Sequence, residues 1–111
     1  MPADDGLPTG SKRVGFRAGK RVNSRIAVRI EWKENGETLS GEGHTLNVSH
    51  YGCLVVFPQN LMVDQRVRLT NLAGKQAVEA VIVWKCQDLG DGWELGMKLL
   101  NPHPDFWGLE I

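Results

Sequence analysis

The sequence predicts an all-β domain: a six-stranded antiparallel β-barrel with a flexible basic N-terminal arm and a short C-terminal helical turn. Three observations point there. Apolar and polar residues alternate over short runs, the period of a strand with one buried face. Thirteen glycines and five prolines cut the chain into short segments at regular turn signals. No long stretch carries the 3.6-residue apolar period of an amphipathic helix.

Residues 1–19 contain Pro2, Gly6, Pro8, Gly10, Gly15 and Gly19 with few large apolar side chains, the composition of a disordered arm. Ile26, Val28, Ile30 and Trp32 then alternate with Ala27, Arg29, Glu31 and Lys33, giving the first strand. Asn35-Gly36 follows, the strongest short hairpin signal, because both residues tolerate positive φ. The returning strand runs from about Thr38 to Leu46, and Gly41 and Gly43 leave room in it for a bulge or sharp curvature.

Cys53 to Phe57 is the third strand, stopped by Pro58, and Val67 to Thr70 is the fourth. Ala73-Gly74-Lys75 turns the chain into a fifth strand, Ala77 to Lys85, in which Val78, Ala80, Ile82 and Trp84 share one face. The turn Leu89 to Gly92 leads into the sixth strand, Trp93 to Leu100. Asn101-Pro102-His103-Pro104 ends it, and Asp105 to Leu109 is long enough only for one helical turn packed on the barrel. Trp32 and Trp84 fall on buried registers and read as core. Trp93 and Trp107 flank the last strand and read as core with partial exposure.

At 111 residues the chain fits one domain, divided into the arm, 1–19, and the barrel, 20–111. Hydrophobic content of 41% and charged content of 23% are those of an ordinary soluble domain. No apolar run is long enough to span a bilayer, and Met-Pro-Ala-Asp-Asp lacks a signal-peptide layout, so the expected location is the cytoplasm without membrane insertion. Cys53 and Cys86 then read as free thiols in strand-like runs. His44, His50 and His103 lack the close spacing of a metal site, so no metal is expected.

A formal net charge of zero conceals an asymmetry. Residues 11–33 hold eight basic side chains, Lys12, Arg13, Arg17, Lys20, Arg21, Arg25, Arg29 and Lys33, against Glu31 alone. The remainder is acidic, which favours a local anionic ligand over nucleic-acid binding by the whole domain.

Two segments carry the chemistry. Arg21-Val22-Asn23-Ser24-Arg25 places two guanidinium forks three residues apart, suited to phosphate oxygens and to the O6/N7 edge of guanine. Asn47-Val48-Ser49-His50-Tyr51-Gly52 offers short polar side chains and a glycine for close backbone approach. Taken alone, each has an ordinary explanation: solvated arginines before a strand, and an Asn/Ser turn bonding its own backbone.

In order and spacing, these segments resemble the PilZ domain family. The resemblance covers about residues 20–108. It includes the Val83-Trp84 pair and the run Glu94-Leu95-Gly96-Met97-Lys98-Leu99. It implies a six-stranded barrel that binds the bacterial second messenger cyclic di-GMP and signals to a protein partner. Carried over residue by residue, Arg21 and Arg25 match the arginine pair, and Asn47, Ser49 and Gly52 match the second motif. Lys20 stands where many members carry a further basic residue. A lysine there meets a phosphate as a point charge but does not stack and fork as arginine does. Arg17 and Arg13 are arm contacts in this reading, and binding orders residues of about 12–25. Tyr51 either leans on the ligand or packs at the rim. No cofactor beyond the ligand is implied.

Two other readings remain. One is a PilZ-fold adaptor that binds no nucleotide and meets a protein around Trp93 and Trp107. The other, ranked last, is a small barrel binding single-stranded nucleic acid through the arm; the sequence lacks an aromatic-plus-basic strand face for it, and no DNA or RNA is expected. An enzyme is disfavoured, because no Ser/His/Asp, Cys/His or paired-carboxylate signature is present.

Overall fold

The computed structural model describes residues 21–87, 90, 92–102 and 105–108. The arm (1–19), together with Lys20, Arg17 and Arg13, lies outside the described residues. Seven strands follow in order: β1 (Val22–Asn23), β2 (Ala27–Glu34), β3 (Glu37–Val48), β4 (Gly52–Phe57), β5 (Arg66–Asn71), β6 (Gln76–Gln87) and β7 (Trp93–Leu99). All pairings are antiparallel, in the order β1-β3-β2-β5-β6-β7-β4. The β3–β4 pairing closes the six longer strands into a barrel. The two-residue β1 pairs with β3 alongside the start of β2.

The alternation that predicted the strands also builds the core. Val28, Ile30 and Trp32 of β2 point inward, as do Cys53, Val55 and Phe57 of β4 and Leu95, Met97 and Leu99 of β7. The β2–β3 hairpin turns through Asn35 (φ 53°) and Gly36 (φ 83°), both in the left-handed region, as the Asn-Gly signal requires.

Of the two expectations for Gly41 and Gly43, a bulge or sharp curvature, the bulge does not occur in the β2–β3 ladder, whose register runs through them unbroken. They serve close packing instead. A Cβ on Gly41 would lie 2.9 Å from Phe57 Cζ, and one on Gly43 2.2 Å from the Val56 carbonyl oxygen. Bulges occur elsewhere, between Thr45 and Asn47 in β3 and between Ile82 and Trp84 in β6. The second overturns the core reading of Trp84, which is 48% exposed. The extra residue at Val83 flips the alternation, so Ile82 stays inside and Trp84 turns out.

One barrel end is closed by the C-terminal segment. Buried Asn71 donates from Nδ2 to the Phe106 carbonyl at 2.8 Å, while its Oδ1 accepts from Ala73 N at 3.0 Å. Phe106 and Trp107 are both buried and meet edge to face, with ring centroids 4.7 Å apart. No helix occurs among the described residues. Where a helical turn was expected, Gly108 N donates to the Asp105 carbonyl at 3.1 Å in a single turn, and the flanking residues lie outside the described ones. No described helix is long and apolar enough to cross a membrane.

Candidate ligand-binding site

The two motif segments meet at the end of the barrel closed by Phe106 and Trp107. β1 carries the first beside the end of β3, with Val22 opposite Val48 and Asn23 opposite Asn47. Arg21 Nη1 donates to Asn47 Oδ1 at 3.1 Å, across 26 residues of sequence. Arg25 is exposed on the same flank, its Nη1 3.2 Å from His44 Nε2. Both guanidiniums stand exposed at the surface on the same flank of β3.

Ser49 and Gly52 bracket the turn between β3 and β4. Ser49 N donates to the Gly52 carbonyl at 2.9 Å, Ser49 Oγ accepts from Tyr51 N at 3.1 Å, and the Ser49 carbonyl accepts from Trp107 Nε1 at 2.9 Å. Local backbone bonding, the ordinary explanation for such a serine, is present in full. Gly52 is required by close approach of strands: a Cβ there would sit 2.2 Å from the Met97 carbonyl oxygen. Tyr51 is exposed and tilted against His50, with centroids 6.4 Å apart.

Strand register extends the site across the outer wall. Asn47 is opposite Leu54, Leu54 opposite Gly96, and Gly96 opposite Trp84. Arg21 and Asn47 stand at one end of this row and the Trp84 indole at the other. The floor between is low because Gly96 has no side chain; a Cβ there would come within 3.2 Å of Trp84 Cβ. Arg21, Cys53, Leu54, Val83, Trp84, Gly96 and Met97 line an open cavity of about 290 Å³. Such a groove, with an apolar floor, an aromatic wall and a guanidinium at its head, suits a flat heterocycle with an attached anion.

Beneath the floor, burial pushes the Cys53 thiol up to about 12, with the Arg21 charge opposing the rise. The thiol therefore stays neutral and acts as a small core group. A larger cavity, about 560 Å³ and lined by Trp32, Lys33, Arg66 and Glu79 among others, contains no motif residue. Among the described residues no cluster of His, Cys, Asp and Glu is arranged to hold a metal ion.

Sequence reasoning missed Trp84, Leu54 and Gly96 as parts of this surface. The signal was present in Ile82-Val83-Trp84, three consecutive apolar residues that break period 2 in a strand paired with one bearing a central glycine. Trp93 and Trp107 read from the sequence as core with partial exposure, and as a protein-contact surface only in the adaptor alternative. Trp107 is only 4% exposed, and half-buried Trp93 has Lys85 Nζ over its ring at 5.2 Å.

Comparison with known proteins agrees with this architecture. A search of curated proteins finds no match. Among solved structures, the Bacillus subtilis inhibitor of motility MotI/DgrA is similar in fold, with a TM-score of 0.66 at 18% identity over 83% of this chain. The match spans 46% of that protein's chain. The family model described as the PilZ domain matches residues 13–106, which include both motif segments, every strand of the barrel and the row that ends at Trp84. The chain therefore belongs to the PilZ domain family.

Proposed function

We propose that this protein is a receptor for cyclic di-GMP, the ligand that PilZ domains generally bind, and that it passes the signal to a protein partner. The observation that carries the reading is the Arg21–Asn47 hydrogen bond, which joins the two motif segments at the head of the groove. Arg21 and Arg25 contact phosphate or the Hoogsteen edge of guanine, and Asn47 adds a polar contact beside them. Ser49 and Gly52 shape the turn that holds Asn47 in place. One guanine lies over Leu54 and Gly96 and stacks against Trp84. Lys20, Arg17 and Arg13 supply further positive charge to the phosphates, and their closing over the ligand presents a changed surface to the partner.

Titration of the full chain with cyclic di-GMP by calorimetry tests this. Arg21→Ala or Arg25→Ala is expected to weaken binding by more than about 100-fold, the loss of charge-assisted forks, with thermal stability unchanged. GTP and cyclic GMP are expected to bind far more weakly. No heat with the cyclic dinucleotide at tens of micromolar protein overturns the reading.

A further inference from the structure

Arg25 occupies a place in the barrel where the chain has one residue too many. β1 and β2 run along the same flank of β3, Asn23 opposite Asn47 and Ala27 opposite His44. Ser24, Arg25 and Ile26 thus face only Thr45 and Leu46, and one residue must leave the ladder. The ladder is held on either side of the gap, by Ser24 N donating to the Leu46 carbonyl at 3.2 Å and Thr45 N to the Ile26 carbonyl at 2.9 Å.

The Thr45 side chain turns into that gap. It is fully buried, and its Oγ1 accepts from Ile26 N at 2.9 Å while donating to the Ser24 carbonyl oxygen. Those two groups belong to the peptide units immediately before and after Arg25. One hydroxyl therefore bridges both sides of a single residue and drives that residue's side chain outward. There the next link is made by the neighbour of Thr45: the guanidinium, which can only donate, gives Arg25 Nη1 to His44 Nε2 at 3.2 Å. Two adjacent β3 residues, one facing in and one facing out, hold Arg25 by its backbone and by its guanidinium.

An exposed arginine is rich in rotamers, and ordering it during binding weakens the complex. We infer that Thr45 and His44 are positioning residues that preset Arg25 for the anionic ligand, Thr45 fixing the backbone and His44 the guanidinium. This rests on the proposed role of Arg25 in gripping cyclic di-GMP. His44 engages only one of the guanidinium nitrogens, so this contact orients the group without consuming it.

The test compares cyclic di-GMP affinity in Thr45→Val, Thr45→Ser, His44→Leu and His44→Gln, and follows amide exchange at Arg25 and Ile26 by NMR in the unliganded protein. Thr45→Val is expected to bind about tenfold more weakly and to exchange faster at Ile26, with Thr45→Ser restoring both. His44→Leu is expected to lose several-fold in affinity, and His44→Gln, whose side-chain oxygen also accepts, to recover it. Wild-type affinity in a folded Thr45→Val, or equal affinities in the two His44 variants, overturns the inference. Should Thr45→Val fail to fold, the His44 pair decides. Should the wild type bind no cyclic di-GMP, the receptor reading fails, and the exchange measurements still decide whether the clamp exists.

Discussion

The β2–β5 wall and the wall formed by β3, β4, β7 and β6 use the same inward alternation but differ on their outer faces. Along β2 the register with β3 and β5 is unbroken, and outward residues match in charge across strands. Arg29 lies 3.2 Å from Glu42, and Glu31 4.0 Å from Arg68. That face is self-compensating. The other wall carries two bulges, and the residue after each, Asn47 and Trp84, stands at one end of the same outward row. There the outer side chains are a guanidinium, an amide, a leucine, a glycine and an indole, which complement a ligand better than one another. Regular pairing produces a neutral solvated face, whereas each bulge re-aims one side chain and together they make a groove.

The difference can be broken at several points, in decreasing order of expected effect. Gly52→Val drives a side chain into the Met97 carbonyl, and chemical denaturation should show a loss of about 3 kcal/mol or more. Trp84→Ala removes the indole from an exposed position, so the fold should hold within about 0.5 kcal/mol while cyclic di-GMP affinity falls about 10- to 100-fold. A folded Trp84→Ala with wild-type affinity would separate the row from the ligand.

Cys53 gives a pH signature of the wall's interior. Its thiol is pushed from 9.0 to about 12 by burial, so the folded state keeps a proton that the unfolded state releases above pH 9. The unfolded state then binds fewer protons, and stability must fall as pH rises from about 9 toward 12, by up to about 1.4 kcal/mol per pH unit. Denaturation curves of Cys53→Ala over that range should show a shallower slope; an identical slope would remove Cys53 as its source. The smallest effect belongs to the compensated wall. Arg29→Ala breaks an exposed pair and should change stability by no more than about 0.5 kcal/mol and ligand affinity by less than about twofold.

Much of this was legible in the sequence. The Asn35-Gly36 turn and the inward set of β2 match the reading from residues, and the segment that begins at Arg21 lies beside the Asn-x-Ser segment, with Arg21 on Asn47. Departures have local causes. Gly41 and Gly43 read as bulge formers because a glycine in a strand signals either curvature or close approach, and here Phe57 and the Val56 carbonyl lie against them. Trp84 read as core because period 2 was extended one residue past the point where β6 breaks it. Thr45 drew no notice, since a threonine in a strand is ordinary until the peptide units flanking Arg25 lie beside its hydroxyl.

The sequence by itself determined which residues are buried along β2 and along β6 as far as Ile82, and where the chain reverses at Asn35-Gly36, because those follow from side-chain alternation and from the φ tolerance of Asn and Gly, both local properties. It also specified the two motif segments. Only the tertiary structure decided which outward side chains share a surface. A bulge is a property of a pair of strands: the residue that leaves the ladder is set by the partner's register, and that register comes from barrel closure. Asn47, Trp84 and Arg25 face outward for that reason, and the groove exists because β3, β4, β7 and β6 align Asn47 with Trp84 across Leu54 and Gly96.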